Sequence, residues 1–238
     1  MKTYRFILKT ICLLLLILSA VSSHADIIQG APTLQNGDII FQKSVSNQSP
    51  AVGEAQGSPW SHVGVLVQNK GTWYVAESRK SSLDLRTLAE FINSGVNGDY
   101  VIKRVKSEYV DMSALNNQSR LQQAFDKYKG KSYDVFFEWS DERIYCSELA
   151  SKVYHDAFGI QLGTMQKVGD LNLDGPAVKK LIKDRLDAIG KKLNKQEPIL
   201  TPASLMADDE HLVTVIAEIK KVSTMDSLVV IGSALESP

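Results

Sequence analysis

Covalent acyl transfer requires a nucleophile, a base and a residue that orients the base, and this 238-residue chain offers a candidate for each. The thiol is Cys146, in the stretch YCSELASKVY. From Cys146 to Phe158 the apolar residues Leu149, Ala150, Val153, Tyr154 and Ala157 recur at steps of three and four. The spacing predicts an amphipathic helix that opens at the cysteine and stops at Gly159. A thiol at a helix start meets unsatisfied backbone N–H groups and the positive end of the macrodipole, which favour thiolate over thiol. The same N–H groups are placed to hold the oxyanion of a tetrahedral intermediate. The competing role for such a cysteine is a small buried hydrophobe that closes the helix against a sheet.

Which thiols and imidazoles compete depends on the leader. Residues 1–25 carry a basic start (Lys2, Arg5, Lys9), an apolar run from Ile11 to Leu18 and a small-residue end at Ser23-His24-Ala25, the anatomy of a secretory signal peptide cleaved after Ala25. The apolar run is short for a transmembrane helix, which wants about 20 residues, and no later segment does better. Cys12 and His24 leave with the leader, so the mature chain, residues 26–238, keeps one cysteine and three histidines, His62, His155 and His211. An exported protein normally pairs its cysteines, so the unpaired thiol is itself informative. The location implied is periplasmic or secreted.

His155 lies nine residues past Cys146 on the same helix, more than two turns away. His211, in DDEHLVTV, reads as a solvated histidine at a strand start. His62 opens the apolar strand SHVGVLVQ (61–68), which is followed by TWYVAES (72–78) across Asn69-Lys70-Gly71, a hairpin signal. With a two-residue turn at Asn69-Lys70, Glu77 stands directly across from His62, where a carboxylate can orient an imidazole. A three-residue loop puts Ser78 there instead and sends Glu77 to the other face.

Charge bounds the partners. The chain has 27 Lys plus Arg and 27 Asp plus Glu; losing the three basic residues of the leader leaves a formal net charge of −3. A mildly acidic surface disfavours nucleic acid, whose phosphates need a basic face. No cysteine or histidine pair has the short spacing of a zinc motif, and acyl transfer by a thiol and an imidazole needs neither metal nor organic cofactor.

The remaining elements must position these groups. GDIIFQK (37–43) reads as a strand opened by a Gly-Asp turn whose Asp38 bonds the turn backbone, and residues 44–59 as a long loop. Residues 83–95 read as a short helix stopped by Gly95, 100–106 as a strand and 112–130 as a helix. The segment KSYDVFFEWSDERI (131–144) is an aromatic linker; Tyr133, Phe136, Phe137 and Trp139, with Trp60, are candidates to wall an apolar pocket. Tyr145 is a candidate for its oxyanion or leaving-group side. Glu148 supports the helix start by its charge. Pro176 to Leu193 reads as a helix, and the tail as a short helix and the strand-like segments 212–219 and 227–235. Hairpins outnumber strand-helix-strand units, which implies an α+β domain with an antiparallel sheet or barrel packed against the cysteine helix.

The motifs GDIIF, SHVGVLV, VAES and YCSEL, in that order, resemble the NlpC-type papain-like cysteine hydrolases. Ordinary members of that superfamily place the cysteine helix first; here it comes last, which is the circularly permuted arrangement. GDIIFQ and GKSYDVFFEWSDERIYCSEL are similar to the YiiX-like branch in particular, and the likeness runs from about Gly37 to Pro202. The resemblance implies Cys146 as nucleophile, His62 as base and Glu77 as the polar residue that orients it. It also implies a thioester acyl-enzyme formed from an amide or ester carbonyl, on a cell-wall peptide or a lipid-linked substrate. The rivals are a lipid acyltransferase and a non-catalytic lipid- or peptide-binding protein on the same fold.

Overall fold

The computed structural model describes residues 33–79 and 82–218. The leader read at 1–25 and the strand-like segment 227–235 lie outside them. Strand β1 (Ile39–Ser44) leads to helix α1 (Ser49–Gln56), strands β2 (His62–Asn69), β3 (Thr72–Arg79) and β4 (Ser82–Thr87), helix α2 (Leu88–Asn93) and strand β5 (Gly95–Val105). Helices α3 (Leu115–Tyr128) and α4 (Cys146–Phe158) follow, then the short strand β6 (Gln166–Lys167), helix α5 (Pro176–Leu186), β7 (Pro198–Ile199), helix α6 (Pro202–Met206) and β8 (Leu212–Glu218).

Among the described residues, six strands form one open antiparallel sheet in the order β4-β3-β2-β1-β5-β8, with β4 and β8 at its edges, so the sheet does not close into a barrel. Strand alternation sorts the side chains into two layers. Ile39, Phe41, Val63, Val65 and Ala76 meet Leu121 and Phe125 of α3 and Leu149 and Val153 of α4 on one face. On the other, Ile40, Leu66, Val75 and Ile102 bury Phe91 of α2. Gly37 carries a φ of +89°, and a Cβ there would stand 2.6 Å from the Tyr154 hydroxyl, which donates to the Gly37 carbonyl and ties α4 to the start of β1.

Three elements differ from the sequence expectation. The long loop at 44–59 contains α1, which starts with Pro50 in its first turn and ends at Gly57 in the left-handed conformation. It is held from outside: the Glu54 carboxylate accepts the N–H groups of Ala177 (2.9 Å) and Val178 (3.2 Å) at the start of α5. Residues 83–95 divide into β4, which pairs with β3, and α2, whose Thr87 accepts the Glu90 N–H while Glu90 accepts the Thr87 N–H in a capping box. The helix from Pro176 ends at Leu186, and a single 3₁₀ turn then stops at Gly190, φ +65°.

The β2–β3 hairpin also departs in register. Its two turn residues are Lys70 (φ 48°) and Gly71 (φ 81°), both left-handed as a type I′ turn requires, and Asn69 pairs with Thr72. Val65 pairs with Ala76, so Glu77 is two positions removed from direct opposition to His62. A shift of two keeps the same face, and the pair becomes a diagonal one.

Candidate active site

Cys146 is the first residue of α4, and hydrogen bonds tie that helix start to β3 and to Leu200, just past β7. The Ser78 hydroxyl, on β3 next to Glu77, donates to the Ile144 carbonyl at 2.5 Å. The Ser147 hydroxyl donates to the Leu200 carbonyl at 2.8 Å, and the Leu200 N–H donates to the Tyr145 hydroxyl at 3.0 Å. Glu148, fully buried, accepts the N–H groups of Tyr145 and Ser140, each at 3.2 Å, and pairs with Lys152 at 2.9 Å. It caps the helix and braces the preceding linker. Burial is the largest influence on its carboxyl and outweighs Lys152 and the N–H donors, pushing it up to about 7.

The diagonal pair closes through side chains. His62 Nε2 meets Glu77 Oε2 in a short contact, and Cys146 is near enough to the imidazole for its thiol to favour the charged ring. Glu77 is completely buried and takes a second partner, Arg86 of β4, through Nε to Oε1 and through Nη2 to Oε2 at 3.1 Å. Arg86 is in turn held by Ser94 Oγ at 2.8 Å. The ring of Phe91 stacks on His62, centroids 5.7 Å apart, and lies beneath the Arg86 guanidinium at 5.2 Å. A Cβ at position 64 would come within 3.4 Å of Glu77 Cβ and 2.3 Å of Val75 Cγ1, so Gly64 leaves the space that the diagonal contact uses.

These partners set the charge states. Burial is the strongest single influence on His62 and disfavours its cation. The hydrogen bonds and charges of Cys146 and Glu77 together exceed it and push the imidazole up to about 9. Burial likewise opposes ionisation of Glu77, but His62 and then Arg86 hold its carboxyl below the usual range. His155 is exposed on α4, and His211 bonds Asp208 at 3.0 Å, so neither joins this cluster.

Cys146 borders a cavity of about 130 Å³ between α1, α5 and the linker 131–144. Of the aromatic candidates, Tyr133, Phe136, Phe137 and Tyr145 line it. Trp60 packs on the core with Lys43 over its ring at 5.0 Å, and Trp139 stands behind Tyr145, edge-on at 6.5 Å; neither reaches the cavity. The linker is folded around buried Asp134, which accepts the N–H groups of Phe136 and Glu138, both at 2.8 Å. Phe137 sits at φ 57°, a region that costs a bulky residue energy, and its ring meets Tyr145 edge-on at 5.5 Å. His62 faces a second, polar opening together with Gln42, Ser78 and Arg86, and Gln48, Tyr133 and Arg185 border both spaces.

Arg86, Phe91 and Ser94 escaped the sequence reading because 83–95 was read as one helix. The usable signals were the alternation of Leu83 and Leu85 with Asp84 and Arg86, and the Thr87–Glu90 capping pattern.

Residues 33–216 match the model of a family described as a permuted papain-like amidase enzyme, YaeF/YiiX, C92 family. The chain belongs to this family. It is 37% identical over 184 residues to the uncharacterized protein YiiX of Escherichia coli K12, covering 77% of this chain and 87% of that protein. It also superposes on a crystal structure described as that of the metalloprotein yiiX of Escherichia coli O157:H7. There the TM-score is 0.71 and the identity 36%, over 79% of this chain and 99% of the other. Membership makes the fold a permuted papain-like one and supports a cysteine hydrolase as the kind of enzyme. Among the described residues no three His, Cys, Asp or Glu side chains converge as a metal site would require.

Proposed function

We propose that the protein is an exported cysteine hydrolase in which Cys146 is the nucleophile, His62 the general base and acid, and Glu77 the residue that orients and charges His62. The observation that supports it is the buried Arg86–Glu77–His62 chain ending at a thiol on a helix N-terminus. His62 Nε2 is engaged by Glu77, which leaves Nδ1 for the thiol proton. The thiolate attacks an amide or ester carbonyl carbon. Negative charge on the carbonyl oxygen is met by the N–H groups of the first turn of α4, which have no partner inside the helix. His62 returns the proton to the departing nitrogen or oxygen as its bond to the carbonyl carbon breaks, and a thioester on Cys146 remains. Water, deprotonated by His62, then cleaves the thioester; a second acceptor in its place would make the reaction an acyl transfer. The polar opening beside His62 suits the departing group and the incoming water. The features of residues 1–25 support export to the periplasm or beyond.

The test is iodoacetamide alkylation of Cys146 at pH 7, run beside hydrolysis of acyl ester and peptide amide panels. Alkylation of the unmodified protein is expected to be at least tenfold faster than that of His62→Ala, and Cys146→Ala to abolish hydrolysis. An alkylation rate indifferent to His62 removes the catalytic pair and leaves a binding protein on the same fold.

A further inference from the structure

The polar opening beside His62 carries a positive charge that the protein itself does not neutralise. Four basic side chains border it, Arg79, Arg86, Lys180 and Arg185, against one acid, Asp184. Three of the four face a carboxylate. Arg86 is spent on Glu77, Lys180 pairs with Asp184 at 2.6 Å, and Arg79 stands 3.9 Å from Asp84. Arg185 is the exception, since among the described residues no carboxylate lies within ion-pair distance of it. The acids that could have served are engaged elsewhere. Asp184, its neighbour in sequence, is held by Lys180, and Asp134 by Arg143 at 3.3 Å and by two backbone N–H groups.

Arg185 instead donates to two neutral oxygens, the Val135 carbonyl through Nη1 and Gln48 Oε1 through Nη2 at 2.7 Å. Its guanidinium lies over the Phe137 ring, 5.2 Å from the centroid. A neutral donor could hold both oxygens without taking a cation out of water. Burial lowers the pKa of this guanidinium, and Tyr133 and Asp134 offset that only in part. Two donations leave three of its five N–H groups without an acceptor among the described residues. The side chain borders both the opening that His62 faces and the space beside Cys146, so it stands where a substrate held by both groups must pass.

We infer that Arg185 receives a monoanionic group, a carboxylate or a phosphodiester, on the departing half of the substrate. The inference rests on the hydrolase reading and deepens it. One cation without a counter-ion matches one negative charge, and the planar guanidinium fork matches two oxygens on a single carbon or phosphorus. Arg79 and Lys180 add to the positive field at the rim. The anion keeps its own bonds throughout. The bond that breaks joins the carbonyl carbon to the departing oxygen or nitrogen, which takes its proton from His62.

The experiment compares the acetate esters of four phenols that differ in the charge of the para substituent: 4-hydroxybenzoate, 4-hydroxyphenyl methyl phosphate, neutral 4-hydroxybenzamide and cationic 4-hydroxyphenyltrimethylammonium. Each kcat/KM is divided by the ester's rate with glutathione, which removes differences in leaving-group reactivity. A hydrogen bond to a charged group is worth roughly ten- to a hundredfold in affinity. At least one anionic ester is therefore expected to exceed the benzamide ester at least tenfold and the cationic ester to fall below it, with the spread shrinking in about 0.5 M salt. Whichever anion leads tells carboxylate from phosphodiester. Arg185→Met is expected to lower the anion-to-benzamide ratio at least tenfold and Arg185→Lys to keep part of it. A purely structural Arg185 would lower all four rates together, and an unchanged ratio in Arg185→Met would overturn the inference. Should Arg185→Met not fold, the charge order and its salt dependence in the unmodified protein decide. Protection of Cys146 from iodoacetamide by 4-hydroxybenzoate, methyl phenyl phosphate and 4-hydroxybenzamide reads the site without turnover. Hydrolysis that requires Cys146 and His62 but ignores charge would sink the anion site and leave the hydrolase standing. Arg185-dependent protection by either anion with no hydrolysis of any ester would uphold the anion site and sink the hydrolase instead.

Discussion

Replacing His62 by Gln tests the electrostatics of the site without any substrate. The imidazole is raised from an ordinary 6.5 to about 9 in the folded protein. Because its folded value lies above its unfolded one, the stability it contributes is whole below about pH 6.5 and is lost as the pH rises through about 9. At roughly 1.36 kcal/mol for each tenfold change in proton affinity, the contribution is about 3 kcal/mol. The side chain is 13% exposed, so solvent screening removes little of it. Urea unfolding of the protein and of His62→Gln at pH 6 and pH 10 reads the quantity directly. The stability gap between the two is expected to be about 3 kcal/mol wider at pH 6. Repeating both in a Cys146→Ala background separates the causes: the gap narrows with the thiol gone and does not vanish, because Glu77 remains. A gap that is the same at both pH values would refute the pairing.

Further outcomes follow from the groups around that pair. Arg86→Met removes one of two partners from a fully buried carboxylate and is expected to cost about 3–5 kcal/mol in urea unfolding; a loss under 1 kcal/mol would mean that Glu77 does not depend on it. Ser78→Ala leaves the Ile144 carbonyl without its donor, and a destabilisation of about 1–3 kcal/mol with slower alkylation of Cys146 is expected. Glu148 works in the opposite sense to a paired carboxylate. Burial raises it to about 7, so its ionisation opposes folding and stability declines between the ordinary carboxylate range and about pH 7. Glu148→Gln is expected to flatten that decline in a pH series of unfolding curves, and an unchanged slope would contradict the burial argument.

Local pattern carried the parts of this fold whose cause is local. Helix α4 is legible from Cys146 to Gly159 because its apolar spacing, its start and its left-handed stop are all within thirteen residues or just beyond. Helix α1 was not, since SPAVGEAQ has Pro, Gly and few large apolar residues; Glu54, reaching across to α5, holds it. Leu85, Leu88 and Ile92, at steps of three and four, masked the boundary between β4 and α2, and with it the arginine that faces Glu77. The turn at Lys70-Gly71 was misplaced by one residue, yet Glu77 kept its face, because a partner shift of two preserves alternation. The wall of the cavity draws on segments more than 100 residues apart, and no window of sequence contains it.

Arg86 has a second consequence for the reaction. A buried carboxylate with His62 as its only partner would have two ways to reach neutrality, by keeping an imidazolium beside it or by taking the proton itself. At about 4 Å and an effective dielectric near 20, each opposite charge contributes about 4 kcal/mol to keeping the carboxylate ionised. Arg86, held by Ser94, is a second partner that favours the Glu77 carboxylate independently of His62, and so continues to do so when His62 is neutral, as it must be when it draws a proton from Cys146 or from water. The charge on Glu77 is then balanced from the Arg86 side, and of these four groups only His62 and Cys146 need change during turnover. Proton movement is thereby confined to the histidine and the groups it serves, which is what a general base requires of the carboxylate behind it.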